Sequence, residues 1–256
     1  MILTVDIGNS NIVLGGVEKN EILFEARLRT DSTKTSDEYC IDLKMILEVY
    51  DVKPSDIEGA IIGSVVPQVL NSMQTAIKKL TGKTALVVGP GLKTGLNIKV
   101  ENPAQTGADL VVGCVAALRE HKPPMIVVDM GTATTMVVLD ETGALLGGSI
   151  APGVKISMDA LTDRTALLPG LQLDAPKKAI GRNTIDCMRS GIMLGAACQI
   201  DGLVERMEAE LGMKTTVVVT GGIAKFVIPM CKTPVIYDKD LLVKGLAILY
   251  RENVRS

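Results

Sequence analysis

Residues 2–17 read ILTVDIGNSNIVLGGV, and residues 125–140 read MIVVDMGTATTMVVLD. Aligned on Asp6 and Asp129, an offset of 123, the stretches match Gly8 with Gly131, Asn9 with Thr132 and Asn11 with Thr134. Each is an apolar strand, an Asp-x-Gly turn of small polar residues, and a second apolar strand. Each then meets a polar turn, Glu18-Lys19-Asn20 or Glu141-Thr142-Gly143. Short β-branched runs bounded by Gly and Asn are strand and hairpin chemistry. An element repeated at half the chain length predicts two similar domains facing each other.

The flanking sequence extends the scheme. In the first half, 2–6, 12–17 and 22–29 read as strands. A helix follows over 37–50, with Ser36 as its N-cap and Asp37 and Glu38 favouring its dipole. Segments 59–64 and 85–88 are further strands, and Pro67 opens a helix between them. A helix over 106–120 ends at His121-Lys122-Pro123-Pro124 and is expected to cross to the second half as a hinge. In the second half, 125–130, 135–140 and 145–150 are strands and 184–211 is helical. Segment 216–220 is a strand running into Gly221-Gly222, and 239–250 is a final helix. Buried strands alternating with helices predict an α/β protein of mixed sheets covered by helices. The expected domains are 1–117 and 118–256.

Composition narrows the function. The chain has 256 residues, 47% hydrophobic and 22% charged, which suits two modest globular cores. A formal charge of −2 gives no basic field for a nucleic-acid backbone, and two Phe without Trp supply little base stacking. The start MILTVDIGNSN lacks a basic leader, and Asp or Gly breaks every apolar run well short of a membrane span. Neither a nucleic acid nor a membrane is expected as partner. The five cysteines contain no C-x-x-C, so free thiols in a cytoplasmic protein are expected. With His121 alone, neither a zinc site nor a Ser/His/Asp nucleophile set can be assembled. Gly82-Lys83-Thr84 has the core of a P-loop, but Ile77 stands where the required glycine would be.

Four elements can carry chemistry. Asp6-Ile7-Gly8-Asn9-Ser10-Asn11 offers amides and small polar side chains to phosphate oxygens, and Asp6 can hold Mg²⁺ directly or through water. Asp129-Met130-Gly131-Thr132 is the same element with hydroxyls, and Asp129 suits a cation. Taken singly, each is equally a plain hairpin turn; the matched pair points to an ATP-phosphate and metal site. The 217–224 stretch leads a buried strand into Gly221-Gly222, where a nucleoside can approach the backbone or a strand and helix can pack closely. Its first-half counterpart is 61–66. Asp109, after Gly107-Ala108, is either a first-turn carboxylate serving the helix dipole or a catalytic base.

These residues, in this order, resemble the type III pantothenate kinases of the acetate and sugar kinase/Hsp70/actin superfamily. The carriers are DIGNSNIV (6–13), Lys34-Thr35 with Asp37-Glu38-Tyr39, GPGLKTGLN (89–97), Asn102-Pro103, Gly107-Ala108-Asp109 and VDMGTATT (128–135). Further along they are Gly147-Gly148, Ile150, Pro152-Gly153, Gly181 with Thr184, and Thr220-Gly221-Gly222. The resemblance implies two similar ribonuclease H-like (actin-like ATPase) domains. It implies ATP-dependent phosphorylation of the 4′-hydroxyl of pantothenate, the first step of coenzyme A synthesis. Asp109 matches the general base. Asp6, Ile7, Gly8, Asn9, Ser10, Asn11, Ile12, Val13 and Thr132 match the ATP contacts. Gly107, Ala108, Asp109, Leu110 and Thr184 match the pantothenate pocket. Asp129 matches the ligand of a monovalent cation, potassium or ammonium, and Asp6 the residue serving Mg²⁺. A homodimer is implied. Two positions depart from the common pattern: Leu110 stands where many members have arginine, and Val100 where many have tyrosine. Arg164 or Arg182 could supply the charge. The expected mechanism places ATP in a cleft between the halves, held by the two turns and bordered by Gly221-Gly222. The alternatives are another small-molecule kinase of the superfamily, or a non-catalytic nucleotide-binding regulator or assembly protein.

Overall fold

The repeat in the sequence is a repeat of topology. In the computed structural model, which describes residues 1–163 and 172–254, the strands form two five-stranded sheets. The first holds β1 (Ile2–Ile7), β2 (Asn11–Glu18), β3 (Glu21–Arg29), β4 (Gly59–Ser64) and β5 (Leu86–Val87) in the order β3-β2-β1-β4-β5. The second holds β6 (Met125–Met130), β7 (Ala133–Leu139), β8 (Leu145–Pro152), β9 (Thr216–Thr220) and β10 (Ile236–Tyr237) in the order β10-β9-β6-β7-β8. In each sheet the first three strands form an antiparallel meander and the last two add in parallel. Even the irregularities match. A register shift falls between Gly16 and Val17 in β2 and between Val138 and Leu139 in β7, an offset of 122.

The helices are α1 (Ser36–Val49), α2 (Pro67–Thr81), α3 (Ala108–Glu120), α4 (Val154–Asp163), α5 (Thr184–Arg189), α6 (Gly195–Leu211), α7 (Ala224–Val227) and α8 (Leu241–Val254). Helix α1 is capped by Thr35 rather than by Ser36. Thr35 accepts from the Glu38 N–H and Glu38 reaches back to the Thr35 N–H, a reciprocal pair that Ser36 cannot form because Tyr39 stands three residues on. Pro67 occupies the first turn of α2. The helical region expected over 184–211 contains a π-helical turn at Ser190–Leu194, joining α5 to α6. Helix α4 and the two-residue strand β10 were not legible as elements in the sequence. No helix among the described residues is long and apolar enough to cross a membrane.

The chain divides into two compact units. The first comprises Met1–Leu96, Glu101–Arg119 and Asp240–Ser256; the second comprises Asn97–Val100 and Glu120–Lys239. Set beside the expected domains 1–117 and 118–256, the chain changes unit at Arg119/Glu120 and returns at Asp240. The cause is the apolar face of α8. Leu241, Val243, Leu246, Ala247 and Leu249 are buried, and Val243 packs with Val17 of β2. Gly245 lets α8 approach α3 closely, since a Cβ there would lie 2.3 Å from the Val112 carbonyl oxygen. In the second unit the short segment Asn97–Val100 lies beside β8: Leu145 N–H donates to Asn97 O and Lys99 N–H to Leu145 O, both at 2.8 Å. Each unit has its own core, one around Val5, Ile7, Tyr39, Ile62 and Met73, the other around Ile126, Met130, Met193, Ile200 and Val219. All five cysteines are free, and burial pushes the Cys114 thiol up to about 12, which leaves it unreactive.

Candidate active site

In the first unit, β1 ends in Asp6-Ile7 and the chain turns through Gly8–Asn11 into β2. Asp6 pairs with Val13 on one side and Gly63 of β4 on the other. It is partly buried, while Asn9, Ser10 and Asn11 are exposed. Ile7 and Ile12 are fully buried, so only their backbone can meet a ligand. The turn closes through Gly8 N–H donating to Asn11 O at 3.0 Å. Helix α3 approaches the same end of the sheet. A Cβ at Gly63 would lie 3.8 Å from Asp6 Oδ1 and 3.9 Å from Val112 Cγ2. Asp109 is three residues before Val112, one turn along the same face of α3.

Asp109 sits in the first turn of α3, partly buried. Burial pushes its pKa above the ordinary carboxylate value, and the Leu110 amide pulls it partly back. That amide donates to Asp109 Oδ1 at 2.9 Å. The carboxylate folds over the α-carbon of Gly107, where a Cβ would be 2.4 Å from Oδ1. Just before it, the Thr106 hydroxyl is buried without a hydrogen-bond partner among the described residues. Ala108 and Leu110 are partly buried in the same turn.

In the second unit Asp129 pairs with Thr135 and with Thr220 of β9, the same place in its sheet as Asp6. The second turn is one residue shorter. Asp6 faces Val13 and Asp129 faces Thr135, so beyond the turn the offset is 122 rather than 123. This corrects the alignment of Asn11 with Thr134: Thr134 takes the place of Ile12 and is buried, 3% exposed, leaving Thr132 as the partly exposed hydroxyl of the turn. Gly221 has φ +102 and lies against the Met130 backbone, where a Cβ would come within 2.5 Å. The helix after it, α7, is one turn long, so it lacks the dipole expected of a phosphate-facing helix. Thr184 is the exposed first residue of α5, behind the N-cap Asn183. Met188 and Ile192 pack in one core with Met130 and Val154, so the segment bearing Thr184 is anchored in the unit that holds Asp129. Val100 is partly buried, Arg182 is exposed, and Arg164 lies outside the described residues.

Among the described residues no group of three or more His, Cys, Asp or Glu is placed to hold a metal ion. Each turn brings one aspartate. A single carboxylate beside substrate phosphates is a donor set that fits Mg²⁺.

A duplicated five-strand unit with an Asp-x-Gly turn after its first strand defines the class: an actin-like ATPase fold. The solved structure of the activator of the 2-hydroxyisocaproyl-CoA dehydratase from Clostridium difficile with bound ADPNP is similar over 99% of this chain and 96% of that one, with a TM-score of 0.60 and 14% identity. The model of the family "Type III pantothenate kinase" matches residues 2–206. The type III pantothenate kinase of Halalkalibacterium halodurans is 42% identical over 99% of this chain and 100% of its own length. That of Listeria monocytogenes is 42% identical over 99% and 98%. The chain belongs to the type III pantothenate kinase family. Its activity is that of a pantothenate kinase, an ATP-dependent kinase of coenzyme A biosynthesis.

Proposed function

We propose that Asp109 is the general base of this kinase. As the 4′-hydroxyl oxygen of pantothenate attacks the γ-phosphorus of ATP, the hydroxyl proton passes to the Asp109 carboxylate, the bond to the bridging oxygen breaks and ADP leaves. The observation that carries this reading is the half-enclosed carboxylate at the start of α3, raised in basicity by burial, on a helix whose Val112 packs near Gly63 beside Asp6. The Asp6–Val13 segment and Thr132 contact the ATP phosphates, with Ile7 and Ile12 contributing backbone only. Gly107, Ala108, Leu110 and Thr184 line the pantothenate pocket. Asp129 would hold a monovalent cation, potassium or ammonium, and Asp6 would hold Mg²⁺ directly or through water. Such cations neutralise phosphate charge. Leu110 supplies no positive charge at the place where arginine is common, so pantothenate's carboxylate is met elsewhere; Arg182 is the exposed candidate. The assembly is a homodimer, and the compartment is the cytoplasm, where free thiols persist.

A coupled ADP-release assay with ATP, Mg²⁺ and pantothenate, run in potassium and then in sodium, tests the cation assignment. Turnover that requires potassium in the parent and loses that requirement in Asp129→Asn supports it. Turnover indifferent to the cation removes it.

A further inference from the structure

The two turns are gripped by the same backbone device, and it assigns work to two residues outside them. In the first unit Thr30 follows β3. Its N–H donates to Ser10 O at 3.1 Å and its hydroxyl to Gly8 O at 2.6 Å. In the second unit Gly153 follows β8, and its N–H donates to Thr132 O at 3.1 Å. The two positions are equivalent. Asn11 pairs with Arg29 and Ala133 with Pro152, so Thr30 and Gly153 each come one residue after matching pairs. The side chains differ for a steric reason. A Cβ at 153 would lie 2.3 Å from Thr132 O and 2.6 Å from Gly131 O, so the second unit has no room for what the first uses.

The residue after Thr30, Asp31, is held from the core. The Tyr39 hydroxyl, on a fully buried ring, donates to Asp31 O at 2.7 Å and accepts from Asp31 N–H at 3.2 Å. The grip therefore runs from the core of the unit to the tip of the turn.

We infer that Thr30 and Gly153 are positioning residues for ATP, acting through the carbonyls of the turns. A carbonyl oxygen carries partial negative charge and repels a phosphate, whereas successive N–H groups form an anion-binding concavity. Engaging the carbonyls of Gly8, Ser10 and Thr132 fixes their negative ends on the protein side of the turns, where they do not oppose an anion. The inference rests on the reading that these turns contact ATP phosphates, and its test separates the two.

Steady-state kinetics and thermal unfolding are measured for Thr30→Val, Thr30→Ser and Asn9→Ala, with Gly153→Ala as a second probe. Thr30→Val keeps the shape and removes one donor. It should raise the KM for ATP about three- to tenfold, the worth of one hydrogen bond, with the pantothenate KM unchanged. Thr30→Ser should restore the parent value. Gly153→Ala should raise the same KM at least as much if it folds. A normal ATP KM in Thr30→Val beside a raised one in Asn9→Ala overturns the inference and leaves the turns as ATP contacts. Normal values in both remove the ATP reading and the inference with it. A rise in both substrate KM values with a collapsed melting temperature, or no rescue by serine, marks Thr30 as merely structural and overturns the inference.

Discussion

Gly107→Ala should disable the kinase while leaving it folded. The new Cβ would lie 2.4 Å from Asp109 Oδ1, and ordinary contact begins near 3.4 Å, so the carboxylate oxygen must retreat by about 1 Å. The next atoms, Asp109 Cγ at 3.6 Å and Leu110 Cγ at 3.7 Å, are at ordinary distances, and no backbone atom is struck. Gly107 is not among the glycines with positive φ, so alanine meets no backbone strain. Alanine also restricts the unfolded chain, a gain of about 0.4–1 kcal/mol. The melting temperature should therefore stay within a few degrees of the parent. A displacement of about 1 Å at a reacting group costs about 10²-fold in rate, or about 2.7 kcal/mol of transition-state stabilisation. The assay is coupled ADP release with pantothenate varied, beside thermal unfolding. A kcat within about threefold of the parent would refute the argument that glycine seats the base. A raised pantothenate KM with normal kcat would refute it differently, by making Gly107 a pocket wall only.

Asp109→Asn should cut kcat by about 10²–10⁴-fold with ATP binding kept. The same substitution should stabilise: the native pKa lies above the ordinary value of 3.8, so stability falls as pH rises from there through the native value and stays lower beyond it. Asparagine lacks that penalty, so the variant should melt above the parent at pH 7 and lose the advantage in acid; a lower melting point at pH 7 contradicts the sign. Asp140 is the opposite case. The Lys99 ammonium at 2.9 Å, then Thr142, hold its carboxyl well below the usual range. Its contribution is present above 3.8 and lost as pH falls through the depressed native value. Asp140→Asn should cost about 2 kcal/mol at pH 7, and denaturant titration should find the difference shrinking in acid.

The duplicated strand-turn-strand was legible because its signal is local: alternating apolar residues broken by Asp-x-Gly need no partner to be read. Ser36 reads as the cap in place of Thr35 because capping is decided by the reciprocal bond with Glu38, which residue type alone does not rank. The return of α8 to the first unit was hidden for another reason. An apolar helix face says that it is buried, not against which sheet. The one-residue difference between the turns was invisible because a gapless match of Gly8 with Gly131 continues plausibly through Asn11 and Thr134; only strand pairing fixes the register. Thr30 and Gly153 carried no chemical signal, one a threonine after a strand and the other a glycine after proline. Their common role follows from hydrogen bonds between residues about 20 apart, although the repeat, carried to its third strand, would have aligned them.

The two units share one strand plan and differ in the side chains beside the two aspartates. Beside Asp6 stands Gly63; beside Asp129 stands Thr220, 2% exposed. At Gly63 a Cβ would already touch Leu246 of α8 at 3.3 Å and Val112 of α3 at 3.9 Å. A threonine-sized side chain would need the space those helices occupy. Glycine at that position therefore lets α3 settle against the end of β4, and with it the first turn that carries Asp109. The second sheet keeps the threonine at the matching place. On this argument the two units cannot exchange roles by swapping aspartates alone. The proposed base, Asp109, needs its helix brought down against the sheet, and that packing begins with the missing side chain at Gly63.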